Sequence, residues 1–147
     1  MKRALIAAVA GLCLATPASA QVFDGDPSGV MASYVALFNR GDAAALAKDI
    51  YALPGVELAA SEAKIRSEIE ALRRDDFGRV DLYGFKSCLV SPDLVRIEMR
   101  YGLLYTYGGL MPPGDQAKIF EVAKTPDGWR IRGETTVPFE RAFTCAL

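Results

Sequence analysis

The sequence predicts an α+β fold in which three N-terminal helices pack on a strongly curved, mostly antiparallel sheet. Up to about residue 75, apolar residues recur at the spacing of amphipathic helices. From Gly78 onward the period changes to two, as in strands that turn one face to water. Such a sheet needs one face covered, and the three helices can cover it. The order of helices followed by a meander of strands therefore gives the fold class.

The start of the chain has the pattern of a cleaved signal peptide. Two basic residues open it, residues 4–14 are apolar, and Ala18-Ser19-Ala20 supplies small residues at a cleavage site. We expect cleavage after Ala20, a periplasmic or secreted location, and a mature chain that forms a single domain over residues 21–147. The apolar run is too short to span a bilayer, so no membrane anchor is expected.

The charge balance argues against nucleic-acid partners. The chain has 17 Lys and Arg residues and 18 Asp and Glu residues, and loss of the leader removes Lys2 and Arg3 from the first group, which leaves 15. The mature chain is therefore mildly acidic. A basic surface that tracks a phosphate backbone is not expected, and no nucleic-acid partner is predicted.

The sequence contains no histidine, which excludes Ser-His and Cys-His nucleophilic pairs and histidine metal sites. Loss of the leader leaves two cysteines, Cys88 and Cys145, which are too few for a thiolate zinc site. We therefore expect neither a metal nor another cofactor. An even cysteine count in an oxidising compartment predicts a Cys88–Cys145 disulfide, with two unpaired thiols as the alternative.

The first two helices are delimited by caps and breaks. The first begins at Asp26-Pro27 and ends at Asn39-Arg40-Gly41, because Pro suits the first helical position and Gly suits the left-handed residue that ends a helix. Asp42 is placed to cap a second, alanine-rich helix, which stops before Pro54-Gly55. The two helices are thus expected to meet at a tight corner.

A short strand is predicted over Val56 to Ala59, and a third helix follows it. Ser61 is the expected cap of this helix, which runs to about Asp75 with a single apolar stripe. Opposite charges four residues apart predict ion pairs on its solvated sides: Glu62 with Arg66, Lys64 with Glu68, and Glu70 with Arg74.

Turn residues divide the second half into strands, which are predicted over residues 80–90, 94–107, 115–124 and 129–136. Pro126-Asp127-Gly128 marks the last hairpin, since Pro presets φ at the second turn position and Gly accepts a positive φ. Between the second and third of these strands lies the loop Gly108–Gly114. It carries Leu110 and Met111, which are unusual on a loop that faces only water, and a partner-binding role for this loop is one hypothesis.

The alternation of residues assigns the charged side chains of these strands to the outer face of the sheet. Arg96, Glu98 and Arg100 alternate with apolar neighbours, and Glu121 and Glu134 are expected to point outward too. Thr135 would then face inward, and the inner face would contain no acid. The alternatives are that Asp49 or Asp115 reaches the pocket mouth, or that a one-residue shift of register turns Glu98 or Glu134 inward. We expect a solvated outer face with cross-strand ion pairs, or alternatively a polar dimer interface edged by the apolar residues 103–107.

Two motifs in this order resemble the nuclear transport factor 2-like superfamily, a cone-shaped α+β fold that includes SnoaL-like and ketosteroid isomerase-like proteins. One motif is Phe38-Asn39-Arg40-Gly41-Asp42 at the end of the first helix, and the other is Asp127-Gly128-Trp129-Arg130-Ile131 in the closing hairpin. The resemblance covers about residues 27 to 140. Because the superfamily is functionally mixed, it argues for a fold rather than for an activity.

The resemblance implies a pocket between the sheet and the helices, and often a homodimer formed through the outer sheet. A small apolar or aromatic ligand is the implied partner, because an apolar cavity with a few hydroxyls suits such molecules. The alternative is that the same side chains fill the core. The residues expected at the pocket are Tyr34, Phe38, Met99, Tyr101, Tyr105, Phe120, Trp129 and Ile131.

Three functions remain open from the sequence. The favoured one is an exported, non-catalytic protein that binds a small molecule or acts as a homodimeric interaction domain, and no catalytic residue is assigned in it. The second is an isomerase- or dehydratase-like enzyme in which Tyr34 polarises a carbonyl and an unidentified carboxylate acts as base. The third is a subunit of a periplasmic complex.

Overall fold

The computed structural model describes residues 26–145, in which three helical segments precede a four-stranded antiparallel sheet. The predicted signal peptide lies outside the described residues. The α+β class is confirmed. The helical segments are α1 (Gly29–Arg40), α2 (Ala43–Ala45), which leads into a π-helical turn (Leu46–Ile50), and α3 (Leu58–Arg74). The strands are β1 (Phe77–Ser91), β2 (Leu94–Tyr105), β3 (Gln116–Thr125) and β4 (Gly128–Val137), and a 3-10 turn (Phe139–Arg141) follows them.

The sheet follows chain order, β1-β2-β3-β4, and each neighbouring pair is antiparallel. The helices cover one face of this curved, open sheet and bury a core around Met31, Phe120 and Ile131. The segment that follows the π-helical turn reaches β4, where Tyr51 forms a parallel bridge with Ile131. This bridge fixes the backbone of Tyr51 beside the outer edge of β4. Among the described residues, no helix is long and apolar enough to cross a membrane.

The corner between α1 and α2 follows from the motif at the end of α1. Gly41 takes a left-handed φ of 74°, and the Asp42 carboxylate accepts a hydrogen bond from the Ala45 N–H at 3.1 Å. The Asn39 side chain accepts from the Val80 N–H at 2.7 Å and thereby ties α1 to β1. The predicted caps at Gly41 and Asp42 are therefore present, and the motif fixes how α1 lies on the sheet. The predicted start at Asp26-Pro27 is wrong, because α1 begins at Gly29 with Ser28 as its cap residue.

The predicted strand over Val56 to Ala59 is wrong, because α3 already begins at Leu58 with Glu57 as its cap residue. Ser61 consequently lies inside the helix, and its N–H donates to the Glu57 carbonyl at 3.0 Å. Leu58 and the alanines after it are good helix formers, so the apolar run continues the helix instead of pairing with the sheet. The described sheet therefore has four strands rather than five.

A β-bulge in β4 reverses the predicted faces of its second half. Val122 pairs with Ile131 but Glu121 pairs with Gly133, so Arg132 is an extra residue with no partner position on β3. Glu134 then pairs with Phe120, whose side chain is fully buried on the inner face. Paired residues share a face, so Glu134 points inward and the prediction of an acid-free inner face is wrong.

The outer face is only partly solvated, because the last described residues fold back over β2. We call residues 138–145 the C-terminal strap. The Arg100 guanidinium lies between the rings of Phe139 and Phe143, 4.6 Å from each centroid, and Glu98 is completely buried. Predicted ion pairs on this face do form, between Arg132 and Glu121 at 3.2 Å for example. The expectation of full solvation fails at Glu98 and Arg100.

The strap ends at a disulfide between Cys88 on β1 and Cys145, whose Cα atoms lie 5.7 Å apart. The Cys145 N–H also donates to the Glu98 carboxylate at 3.2 Å, and Arg96 forms a 2.8 Å ion pair with the same carboxylate. The buried charge of Glu98 is thus compensated by two donors. This geometry is the one that the predicted Cys88–Cys145 pairing requires.

The loop after β2 folds back on the sheet. Leu104 bridges to Leu110, and the Met111 N–H donates to the Leu103 carbonyl at 2.8 Å. Met111 is 5% exposed whereas Leu110 is 44% exposed. Burial of Met111 in the core of the same chain therefore explains in part why this loop carries apolar side chains.

Candidate functional site

The covered face of the sheet encloses a cavity of about 260 Å³ between α1, α3 and the inner residues of β2 and β3. Most of its wall is aromatic or aliphatic, and its polar groups come from both the helices and the strands. The lining residues are Tyr34, Phe38, Glu68, Leu72, Val80, Met99, Tyr101, Leu103, Gln116, Lys118 and Thr136. We call this space the inner cavity.

Four of the residues expected at the pocket line the inner cavity: Tyr34, Phe38, Met99 and Tyr101. Phe120, Trp129 and Ile131 are buried in the core without lining the inner cavity, and Tyr105 packs against the core from a half-buried position. Trp129 is 7% exposed and packs in the core. For this residue the alternative interpretation, in which the side chain fills the core, therefore applies. Tyr105 instead stacks on Tyr107, with ring centroids 4.9 Å apart.

Lys118 is the main polar residue of the inner cavity that the sequence reasoning missed. It pairs with Met99 in the sheet and alternates with the buried Phe120 and Val122, so the two-residue period already placed it on the inner face. The signal was available, but a lysine between apolar residues is typical of an outward side chain. Its Nζ forms a 3.2 Å ion pair with Glu134, and its side chain is 15% exposed.

Glu134 is the centre of a small polar cluster beside the inner cavity. One of its carboxylate oxygens binds Lys118, and the other accepts a 2.8 Å hydrogen bond from the Tyr51 hydroxyl. The bulge at Arg132 and the bridge between Tyr51 and Ile131 create this arrangement, because they bring Glu134 and Tyr51 to the same side of the sheet. Neither feature is visible in the sequence.

The tyrosines of the site are held in their neutral, proton-donating form. Burial raises the pKa of Tyr34, an effect that the Lys118 charge opposes and the carboxylates of Glu134 and Glu68 reinforce. Burial also raises the pKa of Tyr51, with further contributions from Tyr34 and Glu134. Phenols of this kind can donate hydrogen bonds to a ligand at neutral pH.

Lys118 keeps its positive charge in spite of burial. Desolvation alone would lower its pKa, but the acidic groups facing it, Tyr34, Glu134, Tyr101 and Glu68, raise it above the ordinary value. At neutral pH the tyrosines are uncharged, so the carboxylates of Glu134 and Glu68 are the negative partners. The inner cavity therefore contains a permanent cation next to neutral phenols.

A second space of about 230 Å³ lies on the other side of this polar cluster. Glu68 lines both spaces, and Glu134 lines the second. The remaining lining residues of this outer cavity are Tyr51, Leu53, Ser61, Lys64 and Ile65. The site thus has an apolar inner part and a more polar outer part, which meet at Glu68.

One group of possible metal ligands is present in the described residues, at the far side of the sheet. Cys88, Cys145 and Glu98 bring their ligand atoms within 4.8 Å of one another. The two sulfurs are bonded to each other, and Arg96 already binds Glu98. As it stands this cluster offers no thiolate to a metal and is separate from the two cavities.

Several solved structures share the fold of this chain. An NTF2-like protein with a cystatin-like fold from Novosphingobium aromaticivorans is 21% identical, with a TM-score of 0.58 over 80% of this chain and 82% of that one. A domain of unknown function with a cystatin-like fold from Nostoc punctiforme is 13% identical, with a TM-score of 0.56 over 77% and 76%. Aln2 from a Streptomyces species is 14% identical, with a TM-score of 0.58 over 77% and 88%.

These similarities concern the fold, because the identities are low. No protein-family model matches the sequence, and comparison with curated proteins gives no match either. Fold similarity leaves the chemistry to be argued from the site itself.

Proposed function

From the premise that this chain has the NTF2-like, cystatin-like fold, we propose that it is an exported protein that binds a small, largely apolar or aromatic molecule in the inner cavity. The observation that carries the proposal is the composition of the cavity wall. Rings and aliphatic side chains form most of it, while Lys118 and Tyr34 add a cation and a phenol at defined positions. An apolar wall with a few directed polar groups is the usual composition of a small-molecule site.

The polar groups support a ligand that carries a hydrogen-bond acceptor at its buried end. Tyr34 is 4% exposed and stays protonated, and no hydrogen bond is made by its hydroxyl within the described residues. Lys118 keeps donor capacity beyond its single ion pair, since an ammonium has three N–H groups. A carbonyl or ether oxygen would satisfy both donors, and the aromatic walls would bury its body.

Native mass spectrometry of the protein purified from the periplasm of a Gram-negative host tests this proposal. We expect a mature chain that begins at Gln21 and carries a small organic molecule that is released on denaturation. The cavity-filling variant Leu72→Trp should lose that molecule, because Leu72 lines the inner cavity. Leu58→Trp is the matched control on the same helix, since Leu58 is 54% exposed and lines neither cavity.

Two results would contradict the proposal. One is a wild-type protein that carries nothing and binds no aromatic compound at millimolar concentration. The other is retention of the same molecule by Leu72→Trp, which would place the ligand elsewhere.

A second candidate function is an isomerase- or dehydratase-like activity. The inward position of Glu134 favours it, because a carboxylate in the outer cavity then adjoins the inner cavity, where the Tyr34 phenol can polarise a carbonyl. Glu134 is however bound by Lys118 and Tyr51, which hold it as a structural anion until a substrate displaces one of them. If the ligand is chemically changed by the wild type and unchanged by Glu134→Gln, this second function replaces the first.

A further inference from the structure

The outer cavity contains a hydroxyl group with no partner. The Oγ atom of Ser61 is buried, the residue is 5% exposed, and no hydrogen-bond partner is present in the part of the chain that the structure describes. Buried polar atoms are nearly always paired, since an unpaired one costs free energy. Ser61 lines the outer cavity. A ligand atom in that cavity would satisfy it.

The helix α3 presents further unpaired groups along the same side. Ser61, Lys64, Glu68 and Leu72 recur three or four residues apart, so they share one face of the helix. The predicted Lys64–Glu68 ion pair is absent in the described residues, whereas Glu62 pairs with Arg66 as predicted. The predicted Glu70–Arg74 ion pair is likewise absent in the described residues, so Lys64 and Glu68 are not exceptional in lacking an ion pair on this helix.

The two cavities adjoin along this face of α3, and we treat them together as one groove. Ser61 and Lys64 line the outer cavity, Leu72 lines the inner one, and Glu68 lines both. Each cavity alone is below the size of a typical ligand site, about 300–1,000 Å³, whereas a groove that includes both reaches that size. The expected ligand is therefore longer than the inner cavity and passes Glu68.

The charges that line the groove indicate which polar group the expected ligand carries. Lys118 pairs with Glu134, while Lys64 and Glu68 add one charge of each sign to the lining without pairing, so the groove has no net charge that favours an anion or a cation. Both oxygens of Glu134 are already occupied, but Glu68 makes no hydrogen bond within the described residues. A neutral hydroxyl can donate to Glu68 and accept from Ser61 or Lys64 at the same time.

We propose that the outer cavity is a subsite for a hydroxyl group, and that the ligand of this protein is an apolar or aromatic molecule with an alcohol or phenol at one end. The subsite consists of Ser61, Lys64 and Glu68. This inference rests on the proposed function, because the body of the ligand occupies the inner cavity.

A pair of probes that differ only in the hydroxyl tests the subsite: biphenyl and 4-phenylphenol. Dissociation constants are measured by ligand-observed NMR with the full chain as purified after export. We expect 4-phenylphenol to bind about tenfold more tightly than biphenyl, because it gains one hydrogen bond to a charged acceptor. Ser61→Ala and Glu68→Gln should each reduce this ratio by at least roughly threefold and leave biphenyl binding unchanged.

Ser67→Ala is the matched control, because Ser67 lies on the same helix but lines neither cavity and is exposed. It should keep the wild-type ratio. Removal of the Ser61 hydroxyl breaks no hydrogen bond among the described residues, so thermal unfolding of unliganded Ser61→Ala at or above the wild-type temperature verifies that the variant is folded.

The possible outcomes distinguish the subsite from the proposed function. Equal affinity for both probes, or a ratio that survives in Ser61→Ala and Glu68→Gln, would overturn the hydroxyl subsite while the inner cavity keeps its function. Failure of both probes to bind would overturn the proposed function and the subsite with it.

Discussion

Lys118 and Tyr34 show how single residues define the character of the site. Lys118 brings a charge into a mostly apolar cavity, and Glu134 compensates it at 3.2 Å. Tyr34 packs its ring edge-on against Phe120, with centroids 5.2 Å apart, while its hydroxyl stays protonated because of burial. Both residues combine packing with polarity. Substitution of Lys118 or Tyr34 should therefore change the free energy of unfolding.

The raised pKa values predict a loss of stability at alkaline pH. Tyr34, Tyr51 and Lys118 all bind their protons more tightly in the folded protein than in the unfolded chain. Their contribution is therefore fully present below about pH 10 and is lost as pH rises above the unfolded pKa values. Each such group lowers the free energy of unfolding by up to about 1.4 kcal/mol per pH unit in that range.

Urea unfolding between pH 8 and pH 11, with the pH values chosen around the ordinary tyrosine pKa of about 10, measures this slope. Tyr34→Phe should keep the ring packing. Above that pKa, the free energy of unfolding of this variant should fall less steeply with pH, because one titrating group is missing. Tyr107→Phe is the control, because Tyr107 is 75% exposed. Equal slopes in the wild type and Tyr34→Phe would show that Tyr34 is not the responsible group.

At the level of elements, the C-terminal strap covers charged residues of β2 that would otherwise face water. Arg100 donates to the carbonyls of Phe139 at 3.2 Å and Ala142 at 2.9 Å, in addition to its contacts with both phenylalanine rings. Cys145 then links the end of the strap to β1. The strap is held by stacking, hydrogen bonds and a covalent bond together.

Loss of the disulfide should destabilise the protein by up to about 4 kcal/mol, the chain-entropy value for a cross-link 57 residues apart. Urea unfolding of the oxidised protein and of the Cys88→Ser/Cys145→Ser variant measures the difference. Wild-type protein treated with a dithiol reductant should match the variant. No change on reduction, together with free thiols in the exported protein, would contradict the predicted pairing.

At the scale of the whole molecule, the strap limits which part of the outer sheet is open to a partner. Exposed apolar side chains remain near the end of β2, where Tyr107 is 75% exposed and Leu110 is 44% exposed. Tyr105 stacks on Tyr107 and continues this patch toward the core. Aromatic residues of this kind are frequent at the centres of interfaces, so this patch is where we expect the proposed homodimer to form.

The expected homodimer can be tested by multi-angle light scattering over a concentration series. Combined substitution Tyr107→Ser/Leu110→Ser should weaken dimerisation at least roughly tenfold, because it removes the apolar centre of the patch. Leu58→Ser is the control, since Leu58 is exposed on α3, away from this patch. A wild-type protein that stays monomeric at all concentrations would refute the dimer.

The sequence by itself determined the three helical segments, the four long strands, their order and the fold class, because helix caps, turn residues and hydrophobic periods act locally. The corner at Asn39-Arg40-Gly41-Asp42 and the last hairpin are examples. The short strand expected over Val56 to Ala59 is the exception. The tertiary structure decided on which face of the sheet particular side chains lie, because local patterns do not specify strand register. The face of Glu134 depends on a one-residue bulge in the pairing with β3, and a one-residue shift moves every later side chain to the other face.

Burial of Glu98 depends in the same way on a strap that is 47 residues distant along the chain at its Cys145 contact. The inner cavity, its cation and the unpaired Ser61 hydroxyl likewise arise where α3 meets the sheet. Long-range packing therefore converted a predicted acid-free pocket into a groove with paired and unpaired polar groups. The physical reason is that strand register and element docking are set by many weak contacts between distant segments, which no local pattern of residues contains.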